Sequence, residues 1–408
     1  MSKWQKVKLG ELYDVHNGLS KSRDAFGSGY PFLSFSEVFN NYFLPDELKQ
    51  LVETTPQEQE SYSIHRGDVF ITRTSETMDE LGMSCVALQD YPKATYNGFT
   101  KRLRPKNQGS ILPEYVGYFL RTPLFRSKFV AFSTMTTRAS LRNEDLLAME
   151  ISLPPIEVQR KIADVLSAYD DLIENNRKQI RLLEEAAQRL YKEWFIDLRF
   201  HGYENTKIIN SIPDGWERKK LGEWVNTFSG GTPSRKNKEF YQNGSNFWLK
   251  TQELTDSFIF ETEEKITDRA IEYSSAKYIY PNSIIMAMYG ATIGKLGIAA
   301  TRLTCNQACC VFDLSSQPDI MPYLYLWLKL NRDFFISQGI GSAQSNLSQA
   351  MIKNFDIVVP CQEVLSDFSQ IATKIFARIL KLQKSVNEAK NARDRLLPKL
   401  MSGELEVK

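Results

Sequence analysis

Trp4-Gln-Lys-Val-Lys-Leu-Gly-Glu11 returns 212 positions later as Trp216-Glu-Arg-Lys-Lys-Leu-Gly-Glu223, and at the same offset Gly18 falls on Gly230. Further in, Ile64-His-Arg-Gly-Asp-Val-Phe-Ile71 resembles Ile279-Tyr-Pro-Asn-Ser-Ile-Ile-Met286 at an offset of 215. Near the end of each copy, Leu141 through Ile151 and Pro154 match Leu347 through Ile357 and Pro360 at an offset of 206. Self-similarity at a fixed period means one structural unit used twice. The drifting offset puts small insertions and deletions in loops, and the two copies differ most in their middles.

Each copy closes on a long helical pattern. Ile162, Leu166, Tyr169, Ile173, Asn176, Ile180, Leu183, Ala187, Leu190 and Trp194 alternate by four and three, the period of a coiled-coil seam. An offset of 206 gives Phe368, Ala372, Ile375, Ile379, Leu382, Val386, Ala389, Arg393, Leu396 and Leu400 with the same spacing. Two helices in one register within one chain are natural partners, and helices of about 40 residues would span roughly 60 Å. Two amphipathic helices, each lying on its own domain, would give the same periodicity. Asn176 is expected to fix register, Arg393 to reach out of the seam, and Pro398 to end or kink the second helix before Leu400. Gly202 and Gly403 stand where left-handed stops would go. Between the helices, alternating apolar runs such as Asp68–Thr72 and Ser283–Ala287, with helical stretches near Tyr115–Phe119 and Tyr323–Leu330, indicate mixed α/β (α+β) domains. The expected division is 1–153, domain; 154–202, helix; 203–359, domain; 360–408, helix.

The 408 residues suffice for two or three cores. Aromatic residues at 12% argue against disorder, while a net charge of +2 is low for a protein that holds DNA alone. A chain of this charge that held a nucleic acid would need its basic groups gathered on one face, or phosphate contacts supplied by partners. The cysteines (Cys85, Cys305, Cys309, Cys310, Cys361) are odd in number and form no CxxC pair, so they are expected to be reduced core thiols. No apolar h-region opens the sequence and no run reaches the roughly 18 apolar residues of a membrane span. A cytoplasmic protein with no membrane association is expected.

Catalytic motifs are missing. Gly290-Ala-Thr-Ile-Gly294-Lys295-Leu296 has three residues between its glycines and Leu where a phosphate loop needs Ser or Thr. No dinucleotide fingerprint follows a strand, and no Asn-Pro-Pro-Tyr-type tetrapeptide is present to grip a target amine. His16, His65 and His201 lie far from one another and from cysteines at metal spacing. No metal site and no catalytic residues are expected.

The opening Trp-x4-Leu-Gly-Glu, Leu153-Pro-Pro-Ile-Glu-Val-Gln-Arg-Lys-Ile-Ala163, Arg189-Leu-Tyr-Lys-Glu-Trp-Phe195 and Arg395-Leu-Leu-Pro-Lys-Leu-Met-Ser-Gly-Glu404 together resemble the specificity subunits of type I restriction–modification systems. Gly230-Gly-Thr-Pro233 and Gly290–Lys295 are similar to segments of that family's target-recognition domains. The resemblance covers essentially the whole chain. The departure is Pro360-Cys-Gln-Glu-Val364, which no Gln-Arg-Lys follows. The resemblance implies two recognition domains held apart by an antiparallel helix pair with pseudo-twofold symmetry. It also implies two methyltransferase subunits and restriction/motor subunits as partners. S-adenosylmethionine and ATP would act only in those partners, on an adenine flipped out of the duplex.

Identical halves read palindromes; two diverged halves in one chain are expected to read two unlike half-sites of double-stranded DNA, with the helices setting the gap. In the first domain the candidate contacts are the loops around Lys21 and Arg23, Thr72, Arg73, Thr74 and Ser75, Lys101 and Arg102, and Thr136–Arg138 with Thr137 and Arg138. Arg73 and Arg138 suit guanine. In the second they are Ser229, Gly230, Gly231 and Thr232, Arg235 and Lys236, Tyr289 and Gly290 through Thr292, Gln307, and Gln344, Ser345 and Asn346. Gln and Asn suit adenine. Any single Lys or Arg could instead be solvated or contact phosphate, and the glycines could serve turns alone. Exposed helix faces and flanks such as Trp194-Phe195 would dock partners. A coiled-coil scaffold that reads no DNA, a specificity subunit of a type II-like system, and a self-contained modification enzyme remain the alternatives.

Overall fold

The structure, a computed structural model, describes residues 4–75, 81–107, 109–131, 134–135, 139–140, 142–338 and 346–407. The chain forms two compact units, Met1–Ile173 with Glu388–Lys408, and Glu174–Asn387. Each takes in part of both long helices, Ile156–Tyr191 and Gln362–Ser402.

The duplication seen in the sequence is a duplication of topology. In the first unit a four-stranded antiparallel sheet runs Tyr13–Asn17, Thr100–Pro105, Val69–Thr72, Ser84–Val86. In the second the order Thr227–Ser229, Cys309–Phe312, Ile284–Ala287, Leu296–Ala299 repeats it, with Ser257–Ile259 added in parallel at the edge. A small mixed sheet accompanies each. Phe26–Leu33 pairs antiparallel with Gln50–Val52 and parallel with Thr95–Tyr96, as Asn246–Leu249 pairs with Glu264–Ile266 and Thr304–Cys305. The repeated Trp-x4-Leu-Gly-Glu motif supplies a strand and a short helix. Gln5–Lys8 closes against Glu150–Leu153, and Glu217–Lys220 against Asp356–Val359.

Both sheets are covered on both faces, which is why their central strands read as unbroken apolar runs. Val69 and Ile71 face one core while Phe70 faces another; Ile284 and Met286 alternate with Ile285 and Ala287 in the same way. The first unit's larger core also holds Ile162, Ala163 and Leu166 of one long helix and Leu397, Leu400 and Met401 of the other. The second gathers Ala187, Tyr191, Trp194 and Phe195 against Phe368, Ala372, Phe376 and Ile379.

Every seam position is buried or half-buried: Ile162, Leu166, Ile173, Asn176, Phe368, Ile379, Leu382 and Val386 fully, and Tyr169, Ile180, Leu183, Leu190, Ile375 and Leu396 in part. In the second unit the helices run antiparallel, with Asn176 donating to Ser385 Oγ at 3.0 Å and Arg378 to Gln179 at 3.2 Å.

Three expectations about the helices need correcting. Arg393 does not reach outward: its side chain is only 13% exposed, ion-paired with Asp170, and lies 5.2 Å over the Tyr42 ring. Pro398 does not end the helix before Leu400: it lies inside the helix, which continues through Leu400 to Ser402, and burial of Leu397, Leu400 and Met401 offsets the one lost backbone bond. Trp194 and Phe195, expected as docking flanks, are 9% exposed and belong to the second core. Gly202 and Gly403 do adopt positive φ, at 84° and 74°. The unusual start of the second helix has a packing reason. Gln159 of the first is 2% exposed, accepting from Leu112 N–H and donating to the Pro154 carbonyl, whereas the position 206 residues later is Leu365, buried in an apolar core.

Candidate nucleic-acid interface

Four segments meet at one end of the main sheet in each unit, tied by the same backbone bonds. In the first, Gly18 N–H donates to the Thr100 carbonyl at 3.1 Å, Leu19 to Tyr96 at 2.9 Å, and Arg73 to Phe99 at 2.9 Å. The second unit repeats these as Gly230 to Cys309 at 3.3 Å, Gly231 to Cys305 at 2.9 Å, and Met288 to Ala308 at 2.8 Å. Asn97 Oδ1 caps the turn by accepting from Phe99 N–H, and Asn306 Oδ1 does so from Ala308 N–H. The fourth segment pairs Ser140 with Thr74, and Asn346 with Tyr289. These pairs are related by the offsets of 206 and 215 found in the sequence. Loops are brought together here by strands that end side by side, a common way for rigid scaffolds to carry recognition.

Gly18 and Gly230 are needed for this crossing. A Cβ would lie 1.9 Å from the Asn97 carbonyl oxygen at Gly18, and 2.3 Å from that of Asn306 at Gly230. Gly231 is likewise closed in by Ser275 and Ala276. Gly230 and Gly231 are buried, so they bring chain to chain and do not offer backbone to a ligand. Gly290 differs: φ is 83°, nothing stands within 4 Å of its would-be Cβ, and it is exposed.

The second unit collects most of its candidates. Thr232, Tyr289, Gly290, Gln307 and Asn346 are all exposed, Thr232 and Gln307 touch through their side chains, and Ser229 donates to Gln349 at 3.0 Å. Arg235 is held by partners of its own. It pairs with Glu264 at 2.6 Å and lies 4.3 Å over Tyr241 and 5.0 Å over Trp248, and the Glu264 hydrogen bond raises its pKa. Lys236 is exposed. Gln344 and Ser345 lie outside the described residues.

In the first unit the placement departs further from expectation. Lys101 and Arg102 are not in a loop: they lie on the central strand Thr100–Pro105, at 6% and 7% exposure. Arg102 donates to the Ser63 carbonyl and stacks on Tyr96. Thr72 is also buried, its hydroxyl accepting from Met83 N–H at 2.9 Å. Lys21 is drawn to Glu58 at 2.7 Å, and Arg23 sits exposed in a short 3-10 turn. Arg73 remains half-exposed at the sheet end, next to the paired strand Thr74–Ser75. Thr136, Thr137 and Arg138 lie outside the described residues.

Sequence reasoning missed Ser20, Asn97 and Phe99. Ser20 takes the place of Thr232, against Gly98, and Phe99 presents a ring 58% exposed at the tip. The Asn97-Gly98 dipeptide, a turn signal, would have pointed to them. Among the described residues, no group of three or more His, Cys, Asp or Glu side chains is placed to hold a metal, and no helix is long and apolar enough to cross a membrane.

Comparison with known proteins shows the family. Residues 1–185 and 213–392 each match the family described as "Type I restriction modification DNA specificity domain". The type I restriction enzyme MjaIX specificity subunit of Methanocaldococcus jannaschii is 26% identical over 99% of this chain and 94% of its own. The HindI specificity subunit of Haemophilus influenzae is 24% identical over 99% and 100%. Among solved structures, the S subunit of a type I restriction–modification system from M. genitalium superposes with a TM-score of 0.62 at 14% identity, covering 97% of this chain and 96% of that one, a likeness of fold. The chain therefore belongs to the family of type I restriction–modification DNA specificity subunits, with two copies of the specificity domain in one polypeptide.

Proposed function

We propose that each unit reads one half of a split, asymmetric DNA target through the loops at its sheet end, and that the chain brings partner enzymes to that target. The observation that carries this reading is the repeated loop junction. The same backbone bonds present Ser20, Arg73 and Phe99 in one unit, and Thr232, Tyr289, Gln307 and Asn346 in the other. A common scaffold with unlike tips is what two unlike half-sites require. Exposed amides at Gln307 and Asn346 suit adenine edges, and the Thr232 hydroxyl holds Gln307 in place.

As a specificity subunit the chain is non-catalytic; it binds DNA and assembles with modification and restriction subunits. In our reading two methyltransferase subunits join it, S-adenosylmethionine and ATP act only in the partners, and the assembly works in the cytoplasm. Modest net charge supports shared phosphate contact, because affinity for DNA scales with the number of phosphates neutralised.

Selection from a randomised duplex pool by the assembled complex tests the reading. With Thr232, Gln307 and Asn346 replaced by Ala, preference at one half-site is expected to relax, each lost base contact being worth about 1–3 kcal/mol. The other half-site should be unchanged. Equal relaxation of both, or of neither, would contradict it.

A further inference from the structure

A lysine buried without a counter-charge is rare. Lys101 is 6% exposed, and its ammonium group donates to Asn143 Oδ1, a neutral acceptor. Its cross-strand neighbours, Asn17 and Ile71, are uncharged. His16 and Arg102 belong to the opposite face, with Tyr96. Of the acidic residues on the short helix that carries Asn143, Asp145 is paired with Arg142 at 2.8 Å and Glu144 is exposed. Among the described residues the one charge that acts on Lys101 is another cation, Arg73, at the sheet end. Among the described residues neither has a carboxylate partner. Burial first, and Arg73 second, pull the Lys101 pKa down to about 8.

Among the described residues the second unit has no such feature. The offsets that relate the junctions place Cys310 at the position of Lys101, Met288 at that of Arg73 and Gln349 at that of Asn143. Cys310 and Met288 are buried and apolar, and Gln349 is spent on Thr227 and Ser229. The cation pair is peculiar to the first unit and stands where its loops would meet DNA.

We infer that Lys101 and Arg73, steadied by Asn143, form an anion seat for one DNA phosphodiester at the half-site read by the first unit. The inference rests on the DNA-reading role above and assigns Arg73 to a phosphate in place of a guanine edge. A phosphate supplies the missing negative charge, restores the ammonium form of Lys101, and makes binding take up a proton. Binding is then full below the free lysine's pKa and weakens as pH rises through it.

The test uses the full chain in its methyltransferase complex and a duplex cut from a chromosomal site that the system methylates, at constant ionic strength. Affinity is expected to fall about tenfold from about pH 7 to about pH 9, since a pKa near 8 leaves about a tenth of the lysine charged at the upper limit. Lys101→Arg should hold affinity flat over this range, and Lys101→Met should bind weakly and without slope. Identical profiles for wild type and Lys101→Arg would overturn the seat. Calorimetry of the wild-type complex in buffers of differing ionisation enthalpy does not depend on how the variants fold. Uptake of a substantial fraction of a proton near pH 8.5 is expected, and none would overturn the seat. DNA binding with no proton linkage would remove this inference alone, whereas failure to bind the duplex at any pH would remove the DNA-reading role with it.

Discussion

Phe368→Ala is expected to destabilise the second unit by about 4 kcal/mol. The ring is fully buried and stands at the centre of an aromatic cluster. It lies 4.8 Å from Phe195, 5.9 Å from Trp194, 6.3 Å from Tyr191 and 6.5 Å from Tyr323. Tyr191 ends the first long helix, Trp194 and Phe195 lie on the π-helical turn Lys192–Ile196 that continues it, and Tyr323 belongs to the helix Met321–Leu330. Truncation therefore opens a cavity where both long helices meet the domain, and large flat side chains cannot collapse into it cheaply. Urea unfolding followed by tryptophan fluorescence, to which Trp194 contributes, measures the loss. A change under about 1 kcal/mol would mean that the helices are not cemented to the domain at this point.

Arg393→Ala is expected to cost the first unit about 3 kcal/mol, the cost of removing one member of a largely buried ion pair. Arg393 binds Asp170, which also accepts from Tyr118 at 2.5 Å, and its guanidinium covers Tyr42. Burial is the largest single influence and opposes the Arg393 charge, yet the hydrogen bonds to Asp170 and Asp394 and the negative charge of Asp170 together outweigh it and raise the pKa. Tyr118 is pushed up too, by burial first and by Asp170 second. The second unit solves the same position without charge. Offsets of 206 turn Asp170 into Phe376 and Arg393 into Ala187, and Phe376 stacks edge-on with Tyr325 at 5.5 Å. The double variant Asp170→Phe with Arg393→Ala should regain most of the loss, because an apolar pair leaves no stranded charge. Thermal unfolding of the two variants side by side checks this. A double variant as unstable as the single would show that the ionic pair itself, and not its satisfaction, holds the helices here.

The sequence made the repeat, the seam and the helical partnership legible because each rests on local periodicity. Trp4 and Trp216 announce equivalent strands, and the alternation from Ile162 to Leu190 marks residues that are buried or half-buried. The errors arose where long-range partners decide. Lys101 and Arg102 look like loop cations in Thr-Lys-Arg-Leu-Arg-Pro, but pairing with Tyr13–Asn17 on one side and Val69–Thr72 on the other puts them inside a sheet. Pro398 breaks a helix only if nothing holds the following turn, and Leu400 and Met401 hold it in a core. Gly230 and Gly231 could serve either a turn or a ligand by sequence; only the crossing with Cys305 and Asn306 shows which. Asn97-Gly98 marks a turn by sequence, but its place at the junction comes from Leu19 and Arg73, partners distant in the chain.

The most direct test of the central claim is a genome-wide map of methylated adenines in cells with and without the gene. If the chain reads a split target for partner methyltransferases, deletion should erase methylation at one asymmetric two-part motif and leave every other motif intact. A map unchanged by deletion, in cells where the partner subunits are produced and active, would contradict it and favour a coiled-coil scaffold that reads no DNA.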